Sequence, residues 1–370
     1  MKEIIDEQMD FAAHQYKKLN KLAAEDSVKV PRNNINGKVT LVKPADWTSG
    51  FYPGILWFLA EYHNDPFWQK AAKEQTAKLK DQKENIYTHD LGFMLYCSYG
   101  NGYHLTNDSS YADILMEGAY SLISRYNDTV GLIRSWDHGE WEYPVIIDNM
   151  MNLEYLFWAF DYSGDSVFYN IALNHADKTL ENHFREDYSS YHVLDYDPLS
   201  GEILSKGTHQ GASDESAWAR GQAWGLYGYV MMYRETKNKR YLTLAKNIAE
   251  YMLYHENMPD DLIPYWDFNR PGEERDVSAA SITASALLEL QKYTTDALSK
   301  NFTGYAETII QNLSNPPYNN KNKEDTYFLL NSSVGAKPDN SEVGIPIIYA
   351  DYYFLEALLR YQDWILEENE

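Results

Sequence analysis

Cysteine is almost absent from this 370-residue chain, and its scarcity excludes two kinds of stabilising site. With Cys97 as the single cysteine, the chain can form neither an internal disulfide nor a zinc cage of cysteines. Basic residues are also scarce, because 32 Lys and Arg stand against 55 Asp and Glu, and the formal net charge is −23. General nucleic-acid binding needs a basic surface that displaces counterions, so we expect no nucleic-acid partner.

Long apolar runs are missing as well. No run approaches the roughly 18 residues that a membrane-spanning helix needs, and the first residues form no signal-type apolar segment. We therefore expect no membrane partner. The compartment stays open, because the chain as given suits the cytoplasm, whereas a periplasmic protein would already have lost its export signal.

Aromatic residues, by contrast, are abundant and make up 15% of the chain, with 32 Tyr and 10 Trp. Aromatic faces stack on sugar rings while Tyr hydroxyls and Trp N–H groups supply polar contacts, so this excess is typical of carbohydrate sites. Tyrosines also line contacts between helices, and composition does not decide between the two interpretations. The chain is 44% hydrophobic and long enough to bury a sizeable core, which argues against disorder.

The hydrophobic pattern is helical throughout, because apolar residues recur at steps of three and four. It predicts about twelve amphipathic helices, and few segments alternate as strands do. The predicted helices are 4–19, 54–63, 68–79, 91–103, 111–126, 150–162, 168–183, 222–233, 241–255, 281–293, 305–313 and 352–365.

A short pattern recurs at several predicted helix starts. An Asp or Asn is followed three residues later by an aromatic residue and four further on by Ala. Its polar side chain can cap the first turn, and the aromatic and small residues share one face, against which another helix can pack closely. Repeated helical hairpins of this kind predict an all-α fold, a single (α/α)6 barrel with residues 1–370 as one catalytic domain. The pattern occurs at Asp65, Asp165 and Asn238, and its first half occurs at Asp108.

Two aspartates, Asp90 and Asp148, each follow a loop and open a predicted helix. Aspartate is common at such positions as a helix cap, which is the simpler interpretation for either residue alone. In a helical barrel, however, both could point into the same mouth. Two carboxylates that face one cavity raise each other's proton affinity, which suits one of them to act as an acid.

Aromatic loops and one arginine accompany these aspartates. Trp47 lies in one such loop, Trp136 and Trp141 in another, and residues 218–225 combine Trp218, Arg220 and Trp224. Tryptophan beside glycine offers a stacking surface, and an arginine can bind an acidic sugar.

Other chemistries lack their motifs. The sequence has no glycine-rich phosphate loop and no GxSxG elbow, and His89, His192 and His209 lack the helical spacing of metal ligands. We therefore expect no cofactor and no metal.

The same segments resemble the unsaturated glucuronyl hydrolases, glycoside hydrolase family 88, from about Asp46 to Arg360. Each motif is weak alone, but their number and order make the set specific. The motifs are 46–51 (DWTSGF), 89–93 (HDLGF), 146–148 (IID), 152–153 (NL), 190–192 (SYH), 208–211 (THQG), 218–225 (WARGQAWG), 265–268 (YWDF) and 351–358 (DYYFLEAL).

The resemblance implies the (α/α)6 fold and an unusual reaction. Members of the family hydrate the C4–C5 double bond of the terminal uronate on oligosaccharides that a polysaccharide lyase has produced. By resemblance, Asp148 would protonate C4 and activate the water that adds at C5, and Asp90 would orient the sugar and stabilise charge. The family positions that line the substrate site correspond to Trp47, His192, Gln210, Trp218, Arg220 and Trp224.

The sequence leaves the source polysaccharide, the leaving sugar, its sulfation and the oligomeric state undecided. Residues 331–338 and 344–349 depart from the pattern of some family members, which puts the preference for the leaving sugar in doubt. Two alternatives remain: an unsaturated rhamnogalacturonyl hydrolase that acts on pectin fragments, and a non-catalytic carbohydrate-binding protein on the same barrel.

Overall fold

The structure, a computed structural model, describes residues 1–323 and 326–366. These residues form twelve α-helices together with short 3₁₀ and π-helices. The α-helices are α1 Lys2–Ala23, α2 Phe51–His63, α3 Pro66–Ala77, α4 Asn101–Thr106, α5 Ser109–Ile123, α6 Leu153–Ser163, α7 Ser166–Asn182, α8 Ala219–Thr236, α9 Lys239–Tyr254, α10 Val277–Leu290, α11 Asp296–Leu313 and α12 Ile348–Tyr361. The π-helices are Gly92–Gly100 and Gln362–Leu366, and the 3₁₀ helices are Lys80–Glu84, Ile147–Asn152 and Gln291–Tyr293.

Each predicted helical segment coincides with a helix of the structure. The predicted segment 91–103 corresponds to the π-helix Gly92–Gly100 and α4 together. Both α10 and α11 begin several residues before their predicted bounds, because their first turns are rich in small or polar residues that hide the apolar period.

The helices form an inner and an outer ring, and the number of buried residues in a helix shows to which ring it belongs. Every residue of α10 is buried, and so are most residues of α2, α8 and α12, whereas α9 buries only one stripe. A helix buried on all sides lies inside a fold, and an amphipathic helix covers it. The inner ring is closed. Helix α2 packs against the π-helix Gly92–Gly100, and the π-helix packs against α6. Helix α6 then packs against α8, α8 against α10, α10 against α12, and α12 against α2. The predicted (α/α)6 barrel is confirmed.

The recurring start pattern has the predicted structural role. Asp65, Asp108, Asp165 and Asn238 each accept a hydrogen bond from a backbone N–H in the first turn of the helix that follows. The aromatic and alanine residues of the pattern, such as Phe168 and Ala172, are buried on the inner face of the outer helices.

Nine short strands, which the sequence did not reveal, occupy the loops between helices in the described residues. They form four small antiparallel sheets. Each strand has only two to six residues, which is too short to show an alternation of polar and apolar residues in the sequence. The strands are β1 Val30–Ile35, β2 Lys38–Val42, β3 Tyr126–Asn127, β4 Leu132–Ile133, β5 Pro144–Ile146, β6 Val193–Tyr196, β7 Ile203–Gly207, β8 Ser333–Ala336 and β9 Ser341–Ile345. The three-stranded sheet, ordered β5-β6-β7, brings distant loops together at one end of the barrel.

The main hydrophobic core is one connected cluster that runs from Ile5 in α1 to Tyr361 in α12. This continuity supports the organisation of residues 1–370 as one domain, which stays a prediction. Among the described helices, none combines the length and the apolar character that crossing a membrane requires.

Candidate active site

A cavity of about 350 Å³ opens at one end of the inner ring. The helices of the inner ring alternate with outer helices along the chain, so they run in the same direction and their N-terminal ends meet at this opening. Trp47, Asp90, Asp148 and Gln210 line the cavity from loops or first turns that lead into inner helices. Four of the eight residues predicted for the site therefore meet on one surface.

Neither cavity aspartate acts as a helix cap. The N-cap position of the 3₁₀ helix Ile147–Asn152 is Ile146, and Asp148 lies inside that helix. The π-helix Gly92–Gly100 has Leu91 at its N-cap and no side-chain cap. Capping aspartates elsewhere in the chain do bond to backbone N–H groups, so the capping interpretation is wrong for these two residues.

One hydrogen bond joins the two segments that carry the aspartates. Gly92 N–H donates to the side-chain Oδ1 of Asn152 over 2.8 Å. The two residues are so close that a Cβ added at Gly92 would lie 2.5 Å from Asn152 Oδ1 and 2.9 Å from its Cα. Glycine and asparagine at these positions therefore fix the spacing between the two loops.

A substitution at Gly92 should therefore disturb both aspartates. We expect Gly92→Ala to lower the melting temperature and to reduce kcat strongly, because the methyl group has no room beside Asn152 in a close-packed interior. Gly304→Ala is the matched control, because Gly304 lies in α11 with nothing within 4 Å of the added Cβ. Alanine in an open helical position should stabilise the protein by about 0.5–1 kcal/mol. Thermal unfolding and kcat of both variants check this, and equal behaviour would contradict it.

Asp148 is buried beside a histidine whose protonation pattern the backbone determines. The N–H groups of His209 and Gln210 both donate to His192 Nδ1 over 3.1 Å, so in the neutral ring Nε2 holds the proton. His192 Nε2 lies 3.6 Å from Asp148 Oδ2. Burial lowers the pKa of His192 well below its usual value, and nearby His209 and Arg220 add to this, so the ring is neutral.

The pKa of Asp148 is raised to about 6. Burial is the main cause and the charge of Asp90 adds to it, while Arg220 and His89 oppose the shift. Its side-chain oxygen Oδ2 has no hydrogen-bond partner in the described part of the chain. Asp148 can therefore hold a proton near neutral pH and present it to a bound molecule.

The surroundings of Asp90 shift its pKa in the opposite direction. Burial alone would raise its pKa, but His89 and Thr88 outweigh burial and lower it. His89 Nε2 lies 3.2 Å from one carboxylate oxygen, and the Thr88 hydroxyl donates to the other over 2.6 Å. The two cavity carboxyl groups thus have pKa values pushed apart, which is typical of a proton donor beside a permanently charged partner.

Trp47 and Gln210 form parts of the cavity wall. The Trp47 ring stacks on Tyr349 with centroids 5.1 Å apart and contacts Phe93 edge-on at 5.5 Å. Gln210 Nε2 donates to the Gly335 carbonyl over 3.0 Å, which fixes the side-chain amide. Both side chains are held in place before any ligand arrives.

His192, Trp218, Arg220 and Trp224 lie behind this wall. His192 packs against Trp218 with ring centroids 4.6 Å apart, and the Arg220 guanidinium lies 4.4 Å from the Trp218 ring. The exposed fractions of Trp218, Arg220 and Trp224 are 3%, 1% and 0%. Direct contact of these residues with a sugar stays a prediction, because the structure places them beneath the residues that line the cavity.

Arg220 is bound to the hairpin β8–β9, which borders the cavity at Ala336. Its guanidinium donates to the carbonyls of Val334 and Gly335 on β8 and lies 3.3 Å from an oxygen of Asp276. From this position its charge reaches Asp148, where it lowers the pKa. Arg220 therefore connects the hairpin β8–β9 electrostatically to the proposed acid.

Several cavity residues were missed by sequence reasoning. Arg32, Tyr87, Thr88, Ser135 and His138 also line the cavity. Thr88 directly precedes the His-Asp motif, which is a signal that could have identified it. Arg32 lies on β1, far from any motif, and no local pattern distinguishes it.

The described residues contain no group of three or more His, Cys, Asp and Glu side chains arranged to hold a metal ion. The residues that line the cavity offer carboxyl groups, an amide and aromatic faces. An (α/α)6 barrel with an aromatic-lined cavity and two carboxyl groups of opposed pKa defines the class of helical-barrel glycosidases.

Comparisons with known proteins identify the family within this class. No family model matches the chain. An unsaturated glucuronyl hydrolase of Formosa agariphila is 49% identical over 332 residues, which cover 88% of this chain and 82% of the relative. An unsaturated glucuronyl hydrolase of Bacillus sp. strain GL1 is 35% identical over 88% of both chains.

Solved structures agree with these relatives. The crystal structure of an unsaturated glucuronyl hydrolase specific for heparin is 45% identical and matches with a TM-score of 0.95 over 100% of this chain and 99% of the other. The enzyme of Bacillus sp. GL1 matches with a TM-score of 0.89 at 31% identity, over 96% and 97% of the two chains. The chain belongs to the unsaturated glucuronyl hydrolases, and it is a glycosidase, as the motifs predicted.

Proposed function

We propose that this enzyme releases the 4,5-unsaturated uronate from the non-reducing end of lyase-generated oligosaccharides of the glycosaminoglycan type. The observation that carries the proposal is the pair of carboxyl groups on one cavity, Asp148 with a pKa raised to about 6 and Asp90 with a lowered pKa. Neutral acid and charged carboxylate are the two forms that protonation of a double bond followed by attack of water requires.

In the proposed reaction Asp148 gives its proton to C4 of the vinyl ether. Positive charge then develops at C5 and on the ring oxygen, and the carboxylate of Asp148 takes a proton from the water that adds at C5. One proton is consumed and one is returned, so a single residue serves as acid and base. The resulting hemiketal opens, which gives a keto-uronate and frees the remaining sugar.

Asp90 supports this reaction as a fixed negative charge. Because His89 and Thr88 hold it ionised, it can accept a hydrogen bond from a sugar hydroxyl and stabilise the positive charge of the transition state. It also raises the pKa of Asp148. The neutral Nε2–H of His192 faces Asp148 and can orient its carboxyl group.

We assign substrate binding to residues of the cavity wall and to the residues that lie directly beneath them. Trp47 offers an aromatic face for a sugar ring, and Gln210 offers its carbonyl oxygen to the polar groups of the uronate. Arg220 attracts the uronate carboxylate from below, while Trp218 and Trp224 support the wall.

Loss of the ultraviolet absorbance of the double bond tests the proposal directly. Unsaturated disaccharides with glucosamine, galactosamine or rhamnose as the leaving sugar should be compared by kcat/KM. We expect turnover of the hexosamine substrates to exceed that of the rhamnose substrate. A preference for rhamnose would favour the rhamnogalacturonyl hydrolases, and binding without loss of absorbance would favour a non-catalytic carbohydrate-binding protein.

A further inference from the structure

A buried arginine lies close to the proposed acid. Arg220 is almost fully buried, so water does not screen the charge of its guanidinium. This charge lowers the pKa of Asp148. An acid that must hold a proton therefore lies within the field of a cation that favours its ionised form, and the site requires a negative charge that offsets this cation.

The groups around Arg220 differ in whether they can supply that negative charge. The charge of Arg220 acts on His192 of β6, Glu342 of β9 and Tyr349 of α12. His192 is neutral, and burial raises the pKa of Tyr349, so its hydroxyl is neutral as well. Glu342 is bound by Arg32 over 2.6 Å, so its charge is already paired. None of these three groups is available to offset Arg220.

Asp276 is the carboxylate that contacts Arg220. It directly precedes α10, its side chain is fully buried, and its Oδ2 lies 3.3 Å from Arg220 Nη1. In the described part of the chain, no other carboxylate lies within 4 Å of this guanidinium. Because both partners are removed from water, their charges act on each other and on their surroundings with little screening.

The two oxygens of Asp276 bind different partners. Oδ1 caps α10 by accepting from the backbone N–H and the hydroxyl of Ser278, and it also accepts from Val334 N–H over 3.3 Å. Oδ2 accepts from Arg220. Capping alone needs no charge, since Asn238 caps α9 with a neutral amide. The cap therefore does not explain the negative charge at position 276.

A closed cycle of hydrogen bonds holds the pair in place. Arg220 donates to the Val334 carbonyl, and Val334 N–H donates to Asp276. Arg220 also donates to the Gly335 carbonyl over 2.7 Å, and Gln210 of the cavity wall donates to the same carbonyl. Both carbonyls would remain if the charge of Asp276 were removed, so we expect Arg220 to keep its position without that charge.

We propose that Asp276 is a positioning residue for the reaction, whose carboxylate offsets the charge of Arg220 beneath the cavity and thereby keeps Asp148 protonated near neutral pH. This rests on the function proposed above. Asp276 does not line the cavity, and it acts through Arg220. Without it, the full charge of Arg220 would favour the carboxylate form of Asp148, which cannot protonate C4.

The pH profile of Asp276→Asn tests this role, because asparagine keeps the capping oxygen and removes the charge. Asp148 is active when protonated, so a lowered pKa makes the enzyme lose activity at lower pH. We expect the descending limb of kcat/KM to move to lower pH by about half a pH unit. In that case kcat/KM falls about threefold at pH 7 and stays nearly unchanged at pH 5. His89 and Asp90, which also act on Asp148, stay in place.

Asp108→Asn is the matched control. Asp108 caps α5 in the same way, because its Oδ1 accepts from the N–H and the hydroxyl of Ser110. No arginine or lysine among the described residues forms an ion pair with it, so this variant should keep the wild-type profile. Asp276→Ser also keeps a capping oxygen and removes the charge, and it decides the matter if Asp276→Asn does not fold.

A variant with the opposite expected shift excludes general damage to the site. Arg220→Gln removes the cation and leaves the negative charge of Asp276, so the descending limb should move to higher pH. A limb that stays in place in this variant would show that the charge of Arg220 does not act on Asp148, and the proposed role of Asp276 would be wrong.

The proposed function and the role of Asp276 fail in different ways. A wild-type enzyme that turns over no unsaturated disaccharide would overturn the proposed function. If the wild-type enzyme is active but the limb of Asp276→Asn stays in place or moves to higher pH, the role of Asp276 alone is overturned. A purely structural role would lower the melting temperature of Asp276→Asn without moving the limb.

Discussion

Asparagine in place of Asp148 is expected to reduce kcat by at least about a thousandfold, because the amide can neither protonate C4 nor accept a proton from water. The substitution should fold, since burial already raises the pKa of this residue to about 6 and the pocket therefore tolerates a neutral group. Substrate binding should remain measurable by calorimetry. A variant with near wild-type kcat would show that another group is the acid.

The pH dependence of the wild-type enzyme provides an independent measure of the same residue. Asp148 is active as an acid only when protonated, so kcat/KM should fall as the pH rises through about 6. The residual activity of Asp148→Asn should lack this transition. A transition that persists in the variant would assign it to a different group.

Replacing Asp90 by asparagine should lower kcat by roughly a hundredfold or more, because it removes a negative charge held beside the reacting ring. The melting temperature should also fall, since the lowered pKa shows that the folded protein stabilises the charged form through His89 and Thr88. Steady-state kinetics and thermal unfolding should be measured together on the purified variant.

Asp165→Asn is the matched control for this substitution. Asp165 caps α7 by accepting from Val167 N–H, and Asn caps a helix as well as Asp does, so activity and melting temperature should both be retained. If Asp90→Asn behaved like Asp165→Asn, Asp90 would have only a structural role, and the charged partner in the proposed reaction would have to be another residue.

The helical architecture was readable from the sequence because it depends on local periodicity. Apolar steps of three and four gave the twelve helical segments, and the Asx–aromatic–alanine pattern gave the starts of outer helices, as at Asp165, Phe168 and Ala172. The strands were not readable, since they are short and are stabilised by partners far away in the chain, as β5 is by β6.

The site was predicted in part. The motifs indicated Asp90 and Asp148, which the structure places on one cavity and whose roles stay a prediction. Local sequence could not separate them from capping aspartates, because all of them follow a loop and precede a helix. Only the absence of a cap bond and the contacts with His89 and His192 distinguish them. The sequence also did not predict how deeply a side chain is buried. A motif that contains a tryptophan does not show whether the ring lines the cavity, as that of Trp47 does, or lies behind the cavity wall, as that of Trp224 does.

The sequence by itself determined the helical class, since this follows from periodicity along the chain, and the resemblance of its motifs to a known family indicated the two carboxyl residues. The tertiary structure decided which aspartate holds a proton and which of the predicted residues line the cavity. Both depend on residues that lie far apart in the sequence. Burial and the surrounding charges set the pKa of Asp148, and packing places Trp218, Arg220 and Trp224 beneath the cavity wall. Desolvation and charge interactions act through space, so they appear only when the loops at the mouth of the barrel are brought together.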